Sequence, residues 1–125
     1  MDWRIRPLVM NLKFWAKKSD INDAKHNTLS SYALTLMILH YLQCGATPPV
    51  IPSLQVVQPD MCDSNSNVFK LPFCSKVPKF TSENRQTLGS LLYGFFQYYN
   101  EVFDFTADCG SIRCARVLSI ETCYE

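Results

Sequence analysis

The amino-acid sequence predicts a mainly α-helical domain, and three observations support this. Apolar side chains recur at three- and four-residue spacing in three separate stretches, which is the period of an amphipathic helix. Apolar residues make up 47% of the 125 residues, including eight Phe, six Tyr and two Trp, which is enough to fill the core of one domain. The longest mostly apolar run, from Tyr32 to Leu39, is well short of the ~20 residues that cross a bilayer. No segment is therefore expected to span a membrane.

The first helix is predicted from Arg4 to Lys18. Pro7 lies in its first turn, where proline is tolerated, and one face is apolar, consisting of Ile5, Leu8, Leu12, Trp15 and Ala16. Residues 19–27 are polar and rich in Asn and Asp. Because such side chains bond to nearby backbone and stop helices, this segment is predicted to be a turn.

The second helix is predicted to begin near Thr28, Ser30 or Ser31, all good N-cap residues, and to end at Gly45. It is apolar on nearly every side and should be buried. Three prolines within residues 48–52 then require an extended connection.

The last half of the chain has a long loop and one further helix. Residues 58–81 contain prolines and polar clusters without periodicity, which predicts a surface loop. A third helix is predicted to open near Asn84, with Gly89 and Gly94 allowing another helix to approach closely. Residues 111–120 alternate enough for a short strand or a frayed end. The apolar face of the third helix consists of Leu88, Leu91, Leu92, Phe95, Phe96 and Tyr99.

Positive charge is concentrated at the start of the chain. Between Met1 and Lys18, five cations face one acid, which leaves +4, and since the whole chain carries +1, the remainder carries −3. A basic helix on a mildly acidic body suggests a local anion site. The five cations are Arg4, Arg6, Lys13, Lys17 and Lys18.

The six cysteines are expected to be reduced, because no secretory signal precedes them. No C-x-x-C pair occurs, and His26 and His40 lie far from the cysteines in sequence. The spacing therefore predicts no metal site.

Two features have the chemistry to bind a nucleotide. Lys13 and Lys17 lie four residues apart on one helix face, an arrangement that costs about a few tenths of a kcal/mol unless an anion offsets it. The start of the second helix offers backbone amides, serine hydroxyls and Tyr32, whose ring can stack on a nucleobase. Each feature also has a simpler interpretation: solvated lysines, capping serines and a core tyrosine.

The order of these features resembles that of a known family. The stretches Arg6–Val9, Lys13–Lys17, Ile21–Ala24, Thr28–Tyr32 and Leu39–Gln43 closely resemble the central domain of non-canonical poly(A) polymerases and terminal uridylyltransferases. The cytoplasmic poly(A) polymerases of germline-development type are the most similar. Residues 49–55 resemble the family's linker and residues 88–96 its poly(A)-polymerase-associated segment. The resemblance extends over about residues 3–105.

The resemblance implies a fold and a set of site residues. The fold would be the helical central domain of a polymerase-β-like nucleotidyltransferase, similar to the substrate-binding domain of poly(A) polymerase and oligoadenylate synthetase, with the catalytic α/β domain absent from this chain. Lys13 and Lys17 would hold the phosphates, Ser31 would bond to the triphosphate, and Tyr32 would stack on the base. Asn27 stands where the family has Gly, and since Asn also accepts left-handed backbone angles, the turn should survive.

The expected organisation is one domain in three parts. Residues 1–57 form the nucleotide-binding region, residues 58–83 a loop, and residues 84–125 a truncated poly(A)-polymerase-associated segment. The resemblance implies ATP as substrate, an RNA 3′ end and a protein as partners, and Mg²⁺ or Mn²⁺ as cofactor of the full enzyme. The expected location is the cytoplasm, with the nucleus as a second compartment.

The carboxylates that nucleotidyl transfer needs are not in this sequence. The family holds two metal ions with three aspartates, two of them in an Asp-x-Asp motif after Gly-Ser. Here neither Gly89-Ser90 nor Gly110-Ser111 is followed by such a pair. The chain is therefore expected to contain no catalytic residue and no metal ligand, and not to tail RNA alone.

Two alternatives to an adenylyltransferase remain open. The chain could be part of a uridylyltransferase, since the residues that choose the base would lie beyond residue 125. It could also be a catalytically dead helical module that binds a protein through exposed apolar residues such as Trp3, Met10 and Phe14.

Overall fold

The computed structural model describes residues 2–53, Val57 and residues 80–124. In that part of the chain, three helices of ten or more residues and one β-hairpin form the fold. Helix α1 spans Ile5–Lys18, α2 spans Ser31–His40 and α3 spans Leu88–Gln97. The prediction of a mainly helical fold is confirmed. The predicted loop at residues 58–81 lies, up to residue 79, outside the described residues.

The shorter elements complete the fold. α2 and α3 continue into π-helical turns, and two 3₁₀ turns follow α1 and the hairpin; these are Tyr41–Gly45, Tyr98–Val102, Ala24–His26 and Glu121–Tyr124. Strands β1 (Asp108–Ser111) and β2 (Arg116–Ser119) pair antiparallel, with Cys109 opposite Leu118. Residues 111–120 thus belong to a hairpin whose first strand the sequence did not predict. In the described part of the chain, no helix is long and apolar enough to cross a membrane.

The core lies where the three helices meet. α1 contributes Ile5, Leu8, Leu12 and Ala16, as its periodicity predicts. Trp15 was predicted on the same face but is 40% exposed, and it packs edge-on against Phe96 of α3 with 4.7 Å between ring centroids. At its position a large ring reaches the rim of the α1–α3 contact and not its centre. The other helices add Leu34, Ile38, Tyr41, Leu42, Leu91, Phe95 and Tyr98.

The prediction that the third helix opens near Asn84 is wrong by one turn. Asn84 is buried and accepts a hydrogen bond at Oδ1 from the Arg4 guanidinium (2.9 Å), while its amide donates to the Pro48 carbonyl (2.6 Å). Asn84 lies before the helix, and α3 begins at Leu88, capped by Thr87, whose hydroxyl accepts from the Ser90 amide at 3.2 Å.

Arg4 also departs from its predicted place on a basic surface. Its guanidinium is buried and forms an ion pair with Asp2, with 2.6 Å between Nη2 and Oδ2. This hydrogen bond lowers the pKa of the Asp2 carboxyl, an effect that burial partly opposes. Arg4 therefore joins α1 to the segment before α3 and takes no part in an anion site.

Close helix approach occurs at one of the two predicted glycines. A Cβ atom on Gly94 would collide with the Tyr41 hydroxyl, so α3 needs Gly94 to pack against the end of α2. Gly89 faces open space, with no atom near the position of a Cβ. Its predicted packing role is wrong because it lies on the exposed side of the first turn of α3.

Candidate functional site

The segment between α1 and α2 brings the end of one helix beside the start of the next. The Ile21 amide donates to the Ala16 carbonyl at 3.0 Å, which holds the segment against the last turn of α1. The Leu29 amide then donates to the Ile21 carbonyl at 3.1 Å, which returns the chain to the same place before α2 begins. The first turn of α2 therefore starts close to the helix that carries both lysines.

Several hydrogen bonds close the intervening turn. The Thr28 hydroxyl accepts from the Asp23 amide (2.6 Å) and donates to the Asp23 carbonyl (2.7 Å). The Asp23 carboxylate accepts from the Lys25 amide and pairs with His26 Nδ1 at 2.8 Å. Asn27 has φ of 59° and ψ of 30°, so the predicted left-handed conformation at this position is confirmed.

The three hydroxyl residues before and at the start of α2 have separate roles. Ser30 is the N-cap, because its Oγ accepts from the Ala33 amide at 3.0 Å. Ser31 lies one residue further on, is exposed, and donates its hydroxyl to Asn22 Oδ1 at 3.0 Å. The simpler interpretation of Ser31 as a cap is thus wrong, and its side chain faces the surface at the helix start.

Tyr32 is not a core residue. Its side chain is 73% exposed, while the neighbouring Leu34 on the same helix is buried. An exposed aromatic ring in the first turn of a helix presents a flat face on which a base can stack. The prediction that α2 is buried on nearly every side holds for its later turns and fails at this end.

The first turn of α2 also exposes backbone donors. The first i to i−4 bond of the helix runs from the Leu34 amide to the Ser30 carbonyl at 3.0 Å. The amides of Ser31 and Tyr32 precede that bond and have no intrahelical acceptor. Together with the positive end of the helix dipole, they form a surface that attracts an anion.

Two lysines lie in the second half of α1, the helix to whose end the turn is bonded. Lys13 is half-buried and Lys17 is exposed, and within the described residues neither has an ion-pair partner. Arg6 is also exposed and lies seven residues before Lys13, which places it on the same side of the helix. With Asp2 committed to Arg4, no acid of α1 offsets these charges.

Asn22 is the residue of this surface whose role the sequence did not reveal. Its Nδ2 donates to the Leu29 carbonyl at 3.0 Å, and its Oδ1 accepts from Ser31. The only sequence signal was its place in the Ile21–Ala24 motif, nine residues before Ser31. The contact depends on the path of the turn, which periodicity does not predict.

Behind the site, the far end of α2 carries a buried histidine. His40 Nε2 lies 3.2 Å from the Tyr98 hydroxyl, and its ring packs against Gly110 of the hairpin. Burial lowers the pKa of His40 and raises that of the Tyr98 hydroxyl. This pair joins the helices to the hairpin, and its histidine lies at the opposite end of α2 from the exposed helix start.

Metal ligands are not clustered in the part of the chain that the structure describes, where no three His, Cys, Asp or Glu side chains are grouped to hold an ion. Four of the six cysteines are described, and all four are free thiols: Cys44, Cys109, Cys114 and Cys123. The exposed start of α2, where Tyr32 is 73% exposed, suits an anion with an attached aromatic group.

Comparisons with known proteins identify relatives of almost the whole chain. The chain is 45% identical over 124 residues to Poly(A) RNA polymerase gld-2 homolog B of Drosophila melanogaster. It is 45% identical over 123 residues to Poly(A) RNA polymerase GLD2 of Danio rerio. Each match includes 98% of this chain, but the chain spans 9% of the first relative and 25% of the second. No protein-family model matches the chain.

Solved structures agree with these relatives. A structure of a GLD-2/RNP-8 complex superposes with a TM-score of 0.81 at 41% identity, over 94% of this chain and 36% of that one. The Cid1 poly(U) polymerase crystal structure gives a TM-score of 0.79 at 33% identity, over 98% of this chain and 39% of that one. A cytoplasmic RNA terminal U-transferase gives 0.73 at 36% identity, over 90% and 35%. The fold is therefore one that occurs within RNA nucleotidyltransferases.

Proposed function

We propose that this chain, whose homologues are GLD2 poly(A) RNA polymerases, is the triphosphate-binding part of a template-independent RNA 3′-end nucleotidyltransferase that uses ATP. The observation that carries the proposal is the exposed first turn of α2, held against the last turn of α1. Ser30 provides the helix cap, so Ser31 and the 73% exposed Tyr32 are left for a ligand.

Each site residue then has a physical role. Lys13 and Lys17 neutralise the phosphates, and the anion relieves the repulsion between the two ammonium groups. Ser31 donates its hydroxyl to a phosphate oxygen beside the free amides of the helix start. Tyr32 stacks on the base, a contact that tolerates any base because every base has a flat face.

In this proposal, the metal ions are bound by residues other than those that the structure describes. Nucleotidyl transfer uses Mg²⁺ or Mn²⁺ to activate the attacking hydroxyl and to stabilise the leaving pyrophosphate. The sequence has no Asp-x-Asp motif, and the described residues include no cluster that fits such an ion. In this proposal the chain binds and orients the nucleotide but does not itself transfer it to RNA.

The proposal includes an organisation and a setting. Residues 1–57 are the nucleotide-binding region, and residues 84–125 belong to the poly(A)-polymerase-associated segment, joined by the loop at residues 58–83. The RNA 3′ end is the second substrate of the complete enzyme, and a protein partner is supported by the likeness to the GLD-2/RNP-8 complex. The proposed location is the cytoplasm.

The test is the binding of ATP with Mg²⁺ by the purified chain, measured by calorimetry. Lys13→Ala combined with Lys17→Ala should weaken binding by at least about a hundredfold, since each charged hydrogen bond contributes about 1.5–3 kcal/mol. Lys18→Ala with Arg85→Ala removes the same charge at two other exposed positions and should have little effect. Equal losses in both double variants would show that the affinity comes from net charge alone and would contradict the proposal.

Uridylyl transfer is the second candidate, and the likeness to Cid1 and to the terminal U-transferase favours it. The two candidate functions use the same phosphate-binding residues and differ in the base of the nucleotide. The Tyr32 contact does not choose between bases, so the chain alone should bind ATP and UTP with affinities within a few-fold of each other. Discrimination would have to be measured with RNA tailing by a complete enzyme.

A protein-binding module is supported by exposed apolar side chains on and just before α1. Trp3, Met10 and Phe14 are 72%, 61% and 65% exposed, and Met10 and Phe14 lie on the outer side of α1, opposite Leu8 and Leu12. Contiguous patches of exposed apolar side chains mark protein-interaction surfaces. A chain that fails to bind ATP but binds a hydrophobic dye, with the signal lost in Met10→Ser plus Phe14→Ser, would favour this candidate over the nucleotide site.

A further inference from the structure

We propose that Cys109 and Cys123 are a modification site, a thiol pair that a small-molecule disulfide oxidises to a reversible protein disulfide. Cys109 lies in strand β1, Cys123 lies in the 3₁₀ turn after strand β2, and both are free thiols in the structure. The Cys123 thiol forms a hydrogen bond with the Cys109 thiol, and this contact raises the pKa of Cys123. The two sulfur atoms therefore face each other before any oxidation.

The backbone of the hairpin brings the two cysteines together. The strands pair antiparallel with Cys109 opposite Leu118, and a bond from the Ile120 amide to the Ala107 carbonyl at 2.9 Å extends this pairing beyond the strands. The chain then turns, since the Cys123 amide donates to the Ile120 carbonyl at 3.1 Å. Cys123 is thus held beside the end of the hairpin, within reach of Cys109.

The reaction is a thiol–disulfide exchange, and both thiols are accessible to it, because Cys123 is exposed and Cys109 is half-buried. One cysteine thiolate attacks a sulfur atom of oxidised glutathione, and a glutathione thiolate leaves, which gives a mixed disulfide on the protein. The second cysteine thiolate then attacks the protein sulfur of that mixed disulfide and releases the other glutathione. The two cysteines lose two electrons and two protons, and oxidised glutathione takes them up as two glutathione thiols.

The other two described cysteines have different surroundings. Cys114 is exposed in the turn between the two strands. The Sγ atom of Cys44 lies 3.7 Å from His40 Nδ1, and burial raises the pKa of this thiol. Cys114 therefore serves as the matched control, since it is an exposed thiol of the same hairpin.

The disulfide would fasten the last turn to a hairpin that the rest of the fold already holds. Gly110 lies against the His40 ring, whose carbon atoms are 3.1 Å from the position of a Cβ. The Arg113 carbonyl accepts a hydrogen bond from the Ser53 hydroxyl at 2.7 Å. Because a cross-link restricts the unfolded chain more than a native structure that already has the two sulfurs together, the oxidised chain should be the more stable form.

The test is incubation of the reduced, purified chain with oxidised glutathione, followed by trypsin digestion and mass spectrometry. Cleavage after Arg113 and Arg116 places Cys109, Cys114 and Cys123 on three separate peptides. The expected main product is the Cys109 peptide linked to the Cys123 peptide, and a thiol reductant should separate the two. The melting temperature of the oxidised chain should rise by about 5–10 °C.

Substitutions decide whether this pair is responsible. Cys109→Ser should abolish the linked peptide and the rise in melting temperature, whereas Cys114→Ser should keep both. Should Cys109→Ser fail to fold, as judged by circular dichroism, Cys123→Ser makes the same test at an exposed position. Other cysteine pairs as the main product, or glutathione bound separately to Cys109 and Cys123, would overturn the proposal.

This proposal and the nucleotide site fail separately. The thiol pair lies at the end of the hairpin, and none of the residues proposed to bind ATP belongs to that element. A chain that forms the Cys109–Cys123 disulfide but does not bind ATP would keep this proposal and contradict the proposed function. A chain that binds ATP but forms no such disulfide would do the reverse.

Discussion

Substitutions at two neighbouring serines at the start of α2 should separate an effect on stability from an effect on ATP binding. Ser30→Ala removes the cap, because Ser30 Oγ accepts from the Ala33 amide at 3.0 Å. Losing such a cap costs about 1 kcal/mol, which lowers the melting temperature of a domain of this size by about 4 °C. Ser30 is not among the residues proposed to bind the triphosphate, so the ATP affinity of the folded variant should stay within about twofold of that of the unaltered chain.

Ser31→Ala should do the opposite. Its side chain makes one exposed hydrogen bond, to Asn22, and exposed substitutions change stability by at most about 0.5 kcal/mol. The melting temperature should therefore move by no more than about 2 °C. Losing a hydrogen bond to a charged phosphate costs about 1.5–3 kcal/mol, so ATP affinity should fall about tenfold or more.

Two measurements on both variants decide this prediction. Differential scanning calorimetry gives the melting temperature without ligand, and titration calorimetry gives the ATP dissociation constant at a temperature where both variants are folded. A Ser31→Ala chain that melts as early as Ser30→Ala, or binds ATP as tightly as the unaltered chain, would refute the assigned roles.

Two further predictions concern the core. Gly94→Ala should lower the free energy of unfolding by about 1–3 kcal/mol, because its Cβ meets the Tyr41 hydroxyl. Gly89→Ala, in open space, should raise the free energy of unfolding by up to about 1 kcal/mol. Denaturant titration measures both variants, and equal effects would contradict the packing described for Gly94. Burial lowers the pKa of His40 in the folded chain, so as pH falls the unfolded chain protonates this histidine first. The stability due to neutral His40 is therefore present above about pH 6.5 and is lost as pH falls below it. His40→Gln should therefore show a smaller loss of stability between pH 7.5 and 5 than the unaltered chain in the same titration, and parallel losses would contradict this.

Local periodicity predicted the helices well because it records which side of each helix is buried. The face of α1 from Ile5 to Ala16 was correct except at Trp15. The start of α3 was missed because Asn84 is held by Arg4, 80 residues away. Such a contact between distant residues leaves no periodic signal in either segment.

In the candidate site, too, local motifs were predicted from the sequence and contacts between separate segments were not. Lys13, Lys17, Ser31 and Tyr32 were predicted as nucleotide-binding residues from short motifs, and the exposed helix start is consistent with that hypothesis. Neither the roles of Ser30 and Ser31 nor that of Asn22 could be predicted, since all three depend on where the turn places individual hydroxyl and amide groups. From the sequence, Arg4 was expected among the surface cations, whereas in the structure it is buried and its charge is neutralised by Asp2.

An NMR titration of the isotope-labelled chain with ATP and Mg²⁺ tests most directly whether the start of α2 binds a nucleotide. The largest shifts are expected at the amides of Ser31 and Tyr32, at the Tyr32 ring and at the side chains of Lys13 and Lys17, while the hairpin at residues 108–119 stays unchanged. Shifts confined to the hairpin, or no saturable shifts at all, would contradict a nucleotide site at the start of α2.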